Sequence, residues 1–293
     1  MQKRKFGNTG LEVSVLGFGA MQIGSIKVDD ETAGKVLNEV LDMGINLIDT
    51  ARAYALSEQR IGQFISHRRK EFILSTKVGY DVQGQDDWTY EAVTGGIDQA
   101  LKLMKTDYID IVHLHSCSLE ILERGDVIQG LEDRKKEGKV RFIAYSGENE
   151  ALSYAISTGK FDSLQASVNF CDQRILEDQL PKAVEAGLGV IAKRPVANAP
   201  WLHSSPPLGH HSAEYWHRLQ HMKIHPEGMD WVELAMRFSA FADGVSSCIT
   251  GTSSLNHLKE NIRAMEKGPL DPGTWDHIRS EFRKNDDNWT GLI

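Results

Sequence analysis

Eight short apolar runs, each after the first preceded by a helix-length segment, restrict how this chain can fold more than any other feature. The runs cover Val15–Gly19, Ile45–Asp49, Phe72–Val78, Tyr108–His115, Val140–Ser146, Ser163–Asn169, Gly189–Lys193 and Val245–Thr250. Helices are expected near 30–41, 57–67, 90–104, 119–137, 149–157, 175–186 and 230–241. In the first of these, Ala33, Val36, Leu37, Val40 and Leu41 follow the 3.6-residue period, Asp29 or Asp30 can cap the start, and Gly44 closes the end. Such an alternation over 293 residues predicts an α/β fold, a (β/α)8 TIM barrel. Residues 3–14, with Asn8-Thr9-Gly10 as turn chemistry, read as an N-terminal β-hairpin plug. A long loop, 197–229, follows strand seven and can hold a helix at 212–222. A C-terminal helix runs from Asp271 to about Arg283. Nothing reads as a linker, so a single barrel domain over 1–293 is expected. A doubly wound sheet is the competing architecture, but Gly17-x-Gly19-x-x-Gln22 lacks the third glycine of a dinucleotide fingerprint.

Composition narrows the function. Hydrophobic content of 41% and charged content of 25% suit a globular core. A net charge of −8 with no long basic run argues against nucleic-acid or anionic-membrane partners. No apolar run approaches the ~18 residues needed to span a bilayer, and no apolar segment follows the basic Met1–Lys5 start. Cys117, Cys171 and Cys248 are widely spaced without a CxxC, as expected in a reducing cytoplasm. The loop histidines His203, His210, His211, His217, His221 and His225 include an i, i+4 pair, His217 and His221. They lack acidic or cysteine partners at a set spacing, so no metal is expected there. Nothing in the sequence sets an oligomeric state.

Catalytic groups of such barrels stand at the C-terminal ends of strands. Strand two ends at Asp49, strand three at Lys77 and strand four at His115, and Tyr54 follows one loop after Asp49. Alone, each has an ordinary explanation: a rim carboxylate, a snorkelling lysine, a core histidine, a packing ring. Together, at one end of three neighbouring strands, they form a chemical set. Asp49 can pair with Lys77 and keep the ammonium charged despite burial. A fixed cation beside a phenol favours phenolate, which equips Tyr54 to donate a proton. His115 can orient a substrate oxygen and stabilise charge developing on it. This is equipment for protonating a carbonyl oxygen while hydride reaches carbon. No side chain supplies hydride, so a nicotinamide cofactor is required.

The chain resembles the aldo-keto reductase superfamily from about residue 4 to about residue 265. The resemblance is carried by Gly10-Leu11-Glu12-Val13-Ser14-x-Leu16-Gly17-x-Gly19, Gly44-Ile45-Asn46-x-Ile48-Asp49-Thr50-Ala51-x-x-Tyr54, Ser57-Glu58 with Gly62, and Ser75-Thr76-Lys77. It continues through Thr106-Asp107-Tyr108-Ile109-Asp110 leading to His115, Glu137-Gly138-Lys139-Val140-Arg141, Gln165-x-x-x-Asn169, and Gly251-Thr252 with Glu260-Asn261. It implies a tetrad of Asp49, Tyr54, Lys77 and His115, a small carbonyl substrate, and NADP(H) in preference to NAD(H). The cofactor contacts it implies are Gly19, Ala20, Met21, Asp49, Ser146, Gly147, Gln165, Lys193, Arg194, Pro195, Asn198, Gly251, Thr252, Ser254, His257, Glu260 and Asn261. Among these, Ser146 and Gln165 match residues that hold the carboxamide.

Three departures stand out. Gly147 replaces a common asparagine, and Lys193 occupies the place of a ring that stacks on nicotinamide. The loop Gly251-Thr252-Ser253-Ser254 with His257 meets the 2′-phosphate without the usual lysine or arginine. The resemblance also admits a cofactor-binding regulatory protein on the same barrel. Two further readings stay open: a lyase using Lys77 as a Schiff-base nucleophile, and a metal hydrolase using His113, His115 and Asp49. Substrate walls are expected from the Gln22–Lys27 loop, the 197–229 loop and the tail, with Trp88, Trp201 and Trp289 as candidate lining.

Overall fold

The structure is a computed structural model describing residues 1–208, 211–226 and 228–293, the side chain of His211 excepted. His210 of the loop therefore lies outside the described residues. A two-stranded antiparallel hairpin, β1 (Lys3–Lys5) and β2 (Glu12–Ser14), precedes eight parallel strands. These are β3 (Leu16–Gly19), β4 (Leu47–Asp49), β5 (Ile73–Val78), β6 (Ile109–His115), β7 (Val140–Ser146), β8 (Ser163–Ser167), β9 (Gly189–Lys193) and β10 (Ser247–Thr250). They close into a barrel in chain order, β10 pairing with β3, as the alternation predicts.

Alternation along each strand sorts the interior into layers, because every second side chain points the same way. Leu47, Ile73, Ile111, Ala144, Ile191 and Ile249 form a dry lower layer that Phe6 of the hairpin closes from below. Two residues further along their strands stand Asp49, Ser75, His113, Ser146 and Lys193. A further step reaches Lys77 and His115. Register brings this polar layer together: Asp49 pairs across to Gly19 and Ser75, Lys77 to His113, His115 to Ser146, and Ser146 to Gln165.

The helical expectations hold in position but differ in detail. The 119–137 segment breaks at Gly125 into Leu119–Arg124 and Asp126–Lys136. The 175–186 segment is a 3-10 turn, Arg174–Leu176, followed by Gln179–Glu185, with Pro181 near its start. The long loop contains a helix at His211–Met222, and the C-terminal helix runs Pro272–Asn285. An additional helix, Leu255–Glu266, begins at Ser254, whose hydroxyl accepts from His257 N. The tail returns to the barrel mouth. Arg218 donates to Thr290 O, Asn149 and Gly291 bond reciprocally, and Arg194 donates to Leu292 O.

The loop after β3 and the loop bearing Tyr54 are locked together. Buried Arg60 donates to Ile23 O, Ser25 O and Val28 O and pairs with Asp30 at 2.9 Å. A Cβ at Gly24 would lie 2.1 Å from Tyr54 O and 2.8 Å from Ser57 Cβ, so only glycine allows this approach. Gly24→Ala should therefore lower stability by about 1–3 kcal/mol through overpacking. Urea unfolding measures this, and an unchanged midpoint would contradict the packing described.

Candidate active site

At the C-terminal mouth of the barrel lies a cavity of about 470 Å³. The three strand-end residues Asp49, Lys77 and His115 reach it, and so does Tyr54 from the loop after β4. Of the residues expected to contact a cofactor, Gly19, Met21, Ser146, Gln165, Lys193, Arg194, Pro195, Asn198 and Gly251 also line it.

Asp49 and Lys77 form its floor. Their side chains are 1% and 2% exposed and their Oδ2 and Nζ atoms are 2.6 Å apart. Lys77 Nζ also donates to Thr50 O at 2.8 Å, while Asp49 Oδ1 accepts from Ser75 Oγ at 2.8 Å and Gln165 Nε2 at 2.9 Å. A buried ion pair is tolerable when its remaining hydrogen-bonding capacity is used in this way. Burial works against the Lys77 ammonium, but the neighbouring Asp49 and Tyr54 outweigh it and raise its pKa above the ordinary lysine value. The stabilisation this represents is complete at neutral pH and fades only as pH rises past the ordinary lysine range.

Tyr54 sits in the turn after β4, its N–H bonded to Ala51 O at 3.0 Å. Lys77 Nζ lies 4.9 Å from the centre of its ring, and the His115 ring meets it edge-on at 6.1 Å. Burial, then the charges of Lys77 and Lys193, lower the His115 pKa to about 3, so its imidazole is neutral at physiological pH. His113 is fully buried one layer below, bonded to Ser75 Oγ at 3.1 Å, and burial likewise pushes its pKa down.

Lys193 departs from an aromatic floor in a definite way. Its ammonium pairs with buried Glu148 at 3.2 Å, and Glu148 also accepts from Ser167 N and Oγ, both at 2.9 Å. Burial lowers the Lys193 pKa, with Glu148 opposing. Gly147 cannot hold a side chain without displacing the Tyr145 hydroxyl, which would lie 2.4 Å from a Cβ.

Several other expected contacts stand back from the cavity. Ala20 is buried behind it, its N–H bonded to Asp49 O. Thr252 and Ser254 bond each other beside Gly251 at the start of the Leu255–Glu266 helix, with Asn261 buried and His257 and Glu260 exposed on it. None of the three tryptophans lines the cavity. Trp88 packs behind Tyr80, Trp201 stacks on Trp231, and Trp289 packs against Phe282. The walls come instead from Gln22, Tyr80, Ser116, Val196 and Ile293. Of these, only Gln22 and the tail carried a signal in the sequence. Among the described residues, no group of three His, Cys, Asp or Glu side chains is close enough to hold a metal ion.

The aldo/keto reductase family model matches residues 15–281, and the chain belongs to this family of oxidoreductases. It is 29% identical to an L-galactose dehydrogenase of Arabidopsis thaliana, over 90% of this chain and 88% of that one. It superposes on the holo form of aldo-keto reductase AKR11C1 from Bacillus halodurans with a TM-score of 0.83, at 30% identity and 96% coverage of both chains. A probable voltage-gated potassium channel subunit beta of Arabidopsis thaliana is 25% identical, over 92% of this chain and 93% of that one.

Two outcomes follow from the charges. Asp49→Asn leaves the Lys77 ammonium buried without its counter-ion and should cost about 3–5 kcal/mol, while adding Lys77→Met should restore much of it. A double-mutant cycle by urea unfolding checks this; additive losses would contradict the pairing. On the acid side, folded His115 refuses a proton that the unfolded chain accepts. Stability should therefore fall as pH drops from the ordinary histidine value of 6.5 towards about 3. Melting temperature against pH tests it, with His115→Gln expected to flatten the slope.

Proposed function

We propose that the protein catalyses reversible hydride transfer between NADP(H), in preference to NAD(H), and a small aldehyde or ketone, with Tyr54 as general acid. The observation that carries this reading is the buried Lys77–Asp49 pair set beside Tyr54, with a neutral His115 in the same cavity. The residues present fit a nicotinamide cofactor. Ser146 and Gln165 place buried amide and hydroxyl groups in the cavity, suited to a carboxamide. Gly251 and Ser254 lie beside the N-terminus of a 12-residue helix, which favours a phosphate. When bound, the reduced cofactor supplies the hydride that no side chain can.

The chain's own residues do the rest. His115 N–H donates to the carbonyl oxygen and fixes its position as negative charge develops there. Tyr54 O–H gives that oxygen its proton, and the Lys77 ammonium stabilises the phenolate left behind. Asp49 holds Lys77 charged and in place. Enclosure strengthens each interaction, since charges attract more strongly where water is scarce. In the alcohol-oxidising direction the same groups work in reverse.

The other readings lose support from the geometry. A Schiff-base lysine must be a free amine, whereas Lys77 is held charged by Asp49. His113 of the metal-hydrolase reading is bonded to Ser75 and absent from the cavity lining. A purely regulatory role would leave the intact tetrad without a task. We place this activity in one cytoplasmic barrel domain, in keeping with three buried, unpaired cysteines.

Tyr54→Phe should lower kcat by about 10²–10⁴-fold while leaving NADPH binding, followed by fluorescence, within twofold of wild type. A parallel aldehyde panel should give a higher kcat/KM with NADPH than with NADH. Near-normal turnover in Tyr54→Phe would defeat the mechanism, and equal efficiencies would defeat the cofactor preference.

A further inference from the structure

Tyr80 stands three residues beyond Lys77, on the loop that leaves β5, and lines the cavity. Its hydroxyl lies 3.0 Å from His115 Nδ1, and its ring stacks on the imidazole with centroids 5.3 Å apart and planes 25° apart. We propose that Tyr80 is a positioning residue: it holds His115 as the neutral Nε2–H tautomer, so that the imidazole offers the substrate oxygen a donor and not a lone pair. The proposal rests on the carbonyl-reducing reading for its consequence, but the tautomer itself does not.

A neutral imidazole carries one donor and one acceptor nitrogen, and the partner of one nitrogen decides the state of the other. Two arrangements fit the Tyr80–His115 contact. In one, the phenol donates to Nδ1, and Nε2 keeps the proton. In the other, Nδ1–H donates to the phenol oxygen, and Nε2 turns a bare lone pair to the reacting oxygen. Only the first is compatible with stabilising negative charge on that oxygen. It also uses the hydroxyl proton, which makes no other hydrogen bond among the described residues. Burial raises the Tyr80 pKa, so the phenol stays protonated and able to donate throughout the neutral range.

Tyr80 is itself held by a layer of packing. Trp88 packs behind it, with centroids 5.3 Å apart and planes tilted by 54°, and its backbone N–H donates to Gly79 O at 2.6 Å. Gly79 has φ +130°, and a Cβ there would lie 2.3 Å from the Trp88 ring, so glycine alone admits this arrangement. Arg124, paired with Asp126 at 2.7 Å, donates to the Trp88 carbonyl. The imidazole plane is thus set by stacking and its proton by the hydroxyl.

Tyr80→Phe removes the hydroxyl and keeps both ring contacts. The test compares ¹H–¹⁵N spectra of imidazole-labelled wild type and Tyr80→Phe at pH 7, with the His115 signals assigned from a His115→Gln variant. The wild type should show a single Nε2–H tautomer, and the variant should move towards Nδ1–H or a mixture. With an aldehyde substrate, kcat should fall about five- to tenfold, the worth of one oriented hydrogen bond, while KM stays within twofold. An Nδ1–H tautomer in the wild type overturns the proposal, whether or not Tyr80→Phe folds. So does an unchanged tautomer or an unchanged kcat in Tyr80→Phe. If wild type turns over no aldehyde or ketone, the proposed function fails while the tautomer assignment is still decided by the spectra.

Discussion

The buried ion pair between Asp49 and Lys77 is the interaction around which the cavity is arranged. Both groups lie inside a parallel barrel, above a floor of aliphatic side chains and Phe6, where an unpaired charge would be costly. The pair is tolerated because strand register supplies Ser75 and Gln165 to Asp49, and the Thr50 carbonyl to Lys77. Burial, reinforced by the fixed ammonium, keeps His115 and His113 from accepting protons, and the ammonium faces the Tyr54 ring. The cavity thus sets an ammonium held charged by Asp49 beside the Tyr54 ring and a neutral imidazole. That is the division of labour a carbonyl-protonating site needs.

A second buried pair, Lys193 with Glu148, extends this logic to the far wall. At this position, where the sequence resemblance leads one to expect a ring, the chain carries a neutralised charge. Glu148 is held by Ser167, and Arg194 of the same strand end reaches Ser167 and the Leu292 carbonyl. The tail that brings Ile293 to the cavity is thus tied to the same polar cluster. Both sides of the cavity therefore share their supports.

How much of this the sequence disclosed follows from what each feature depends on. The barrel was legible because apolar runs and amphipathic helices are local patterns, repeated often enough to limit the topology. Asp49, Lys77 and His115 were legible because each ends an apolar strand at the functional end of such a barrel. Tyr80 was not, because an aromatic residue in a loop looks the same whether it packs or positions. Ile293 was foreseeable only as part of the tail; its place depends on bonds from Arg218, Asn149 and Arg194, which are far away in sequence. The break at Gly125 lies at an element boundary, the least defined feature of a single sequence, whereas the helix at Leu255–Glu266 did carry a local signal, a Ser254 cap ahead of Leu258, Ala264 and Met265 on one face.

The central claim is that this site moves hydride to a carbonyl carbon while Tyr54 protonates the oxygen. Its most direct test is isotopic: a panel of aldehydes and ketones incubated with reduced cofactor deuterated at the transferring position of the nicotinamide ring. The account predicts alcohol products carrying deuterium at the former carbonyl carbon, and none on oxygen after exchange into ordinary water. Alcohol without that label, or no alcohol from any member of the panel, would contradict it.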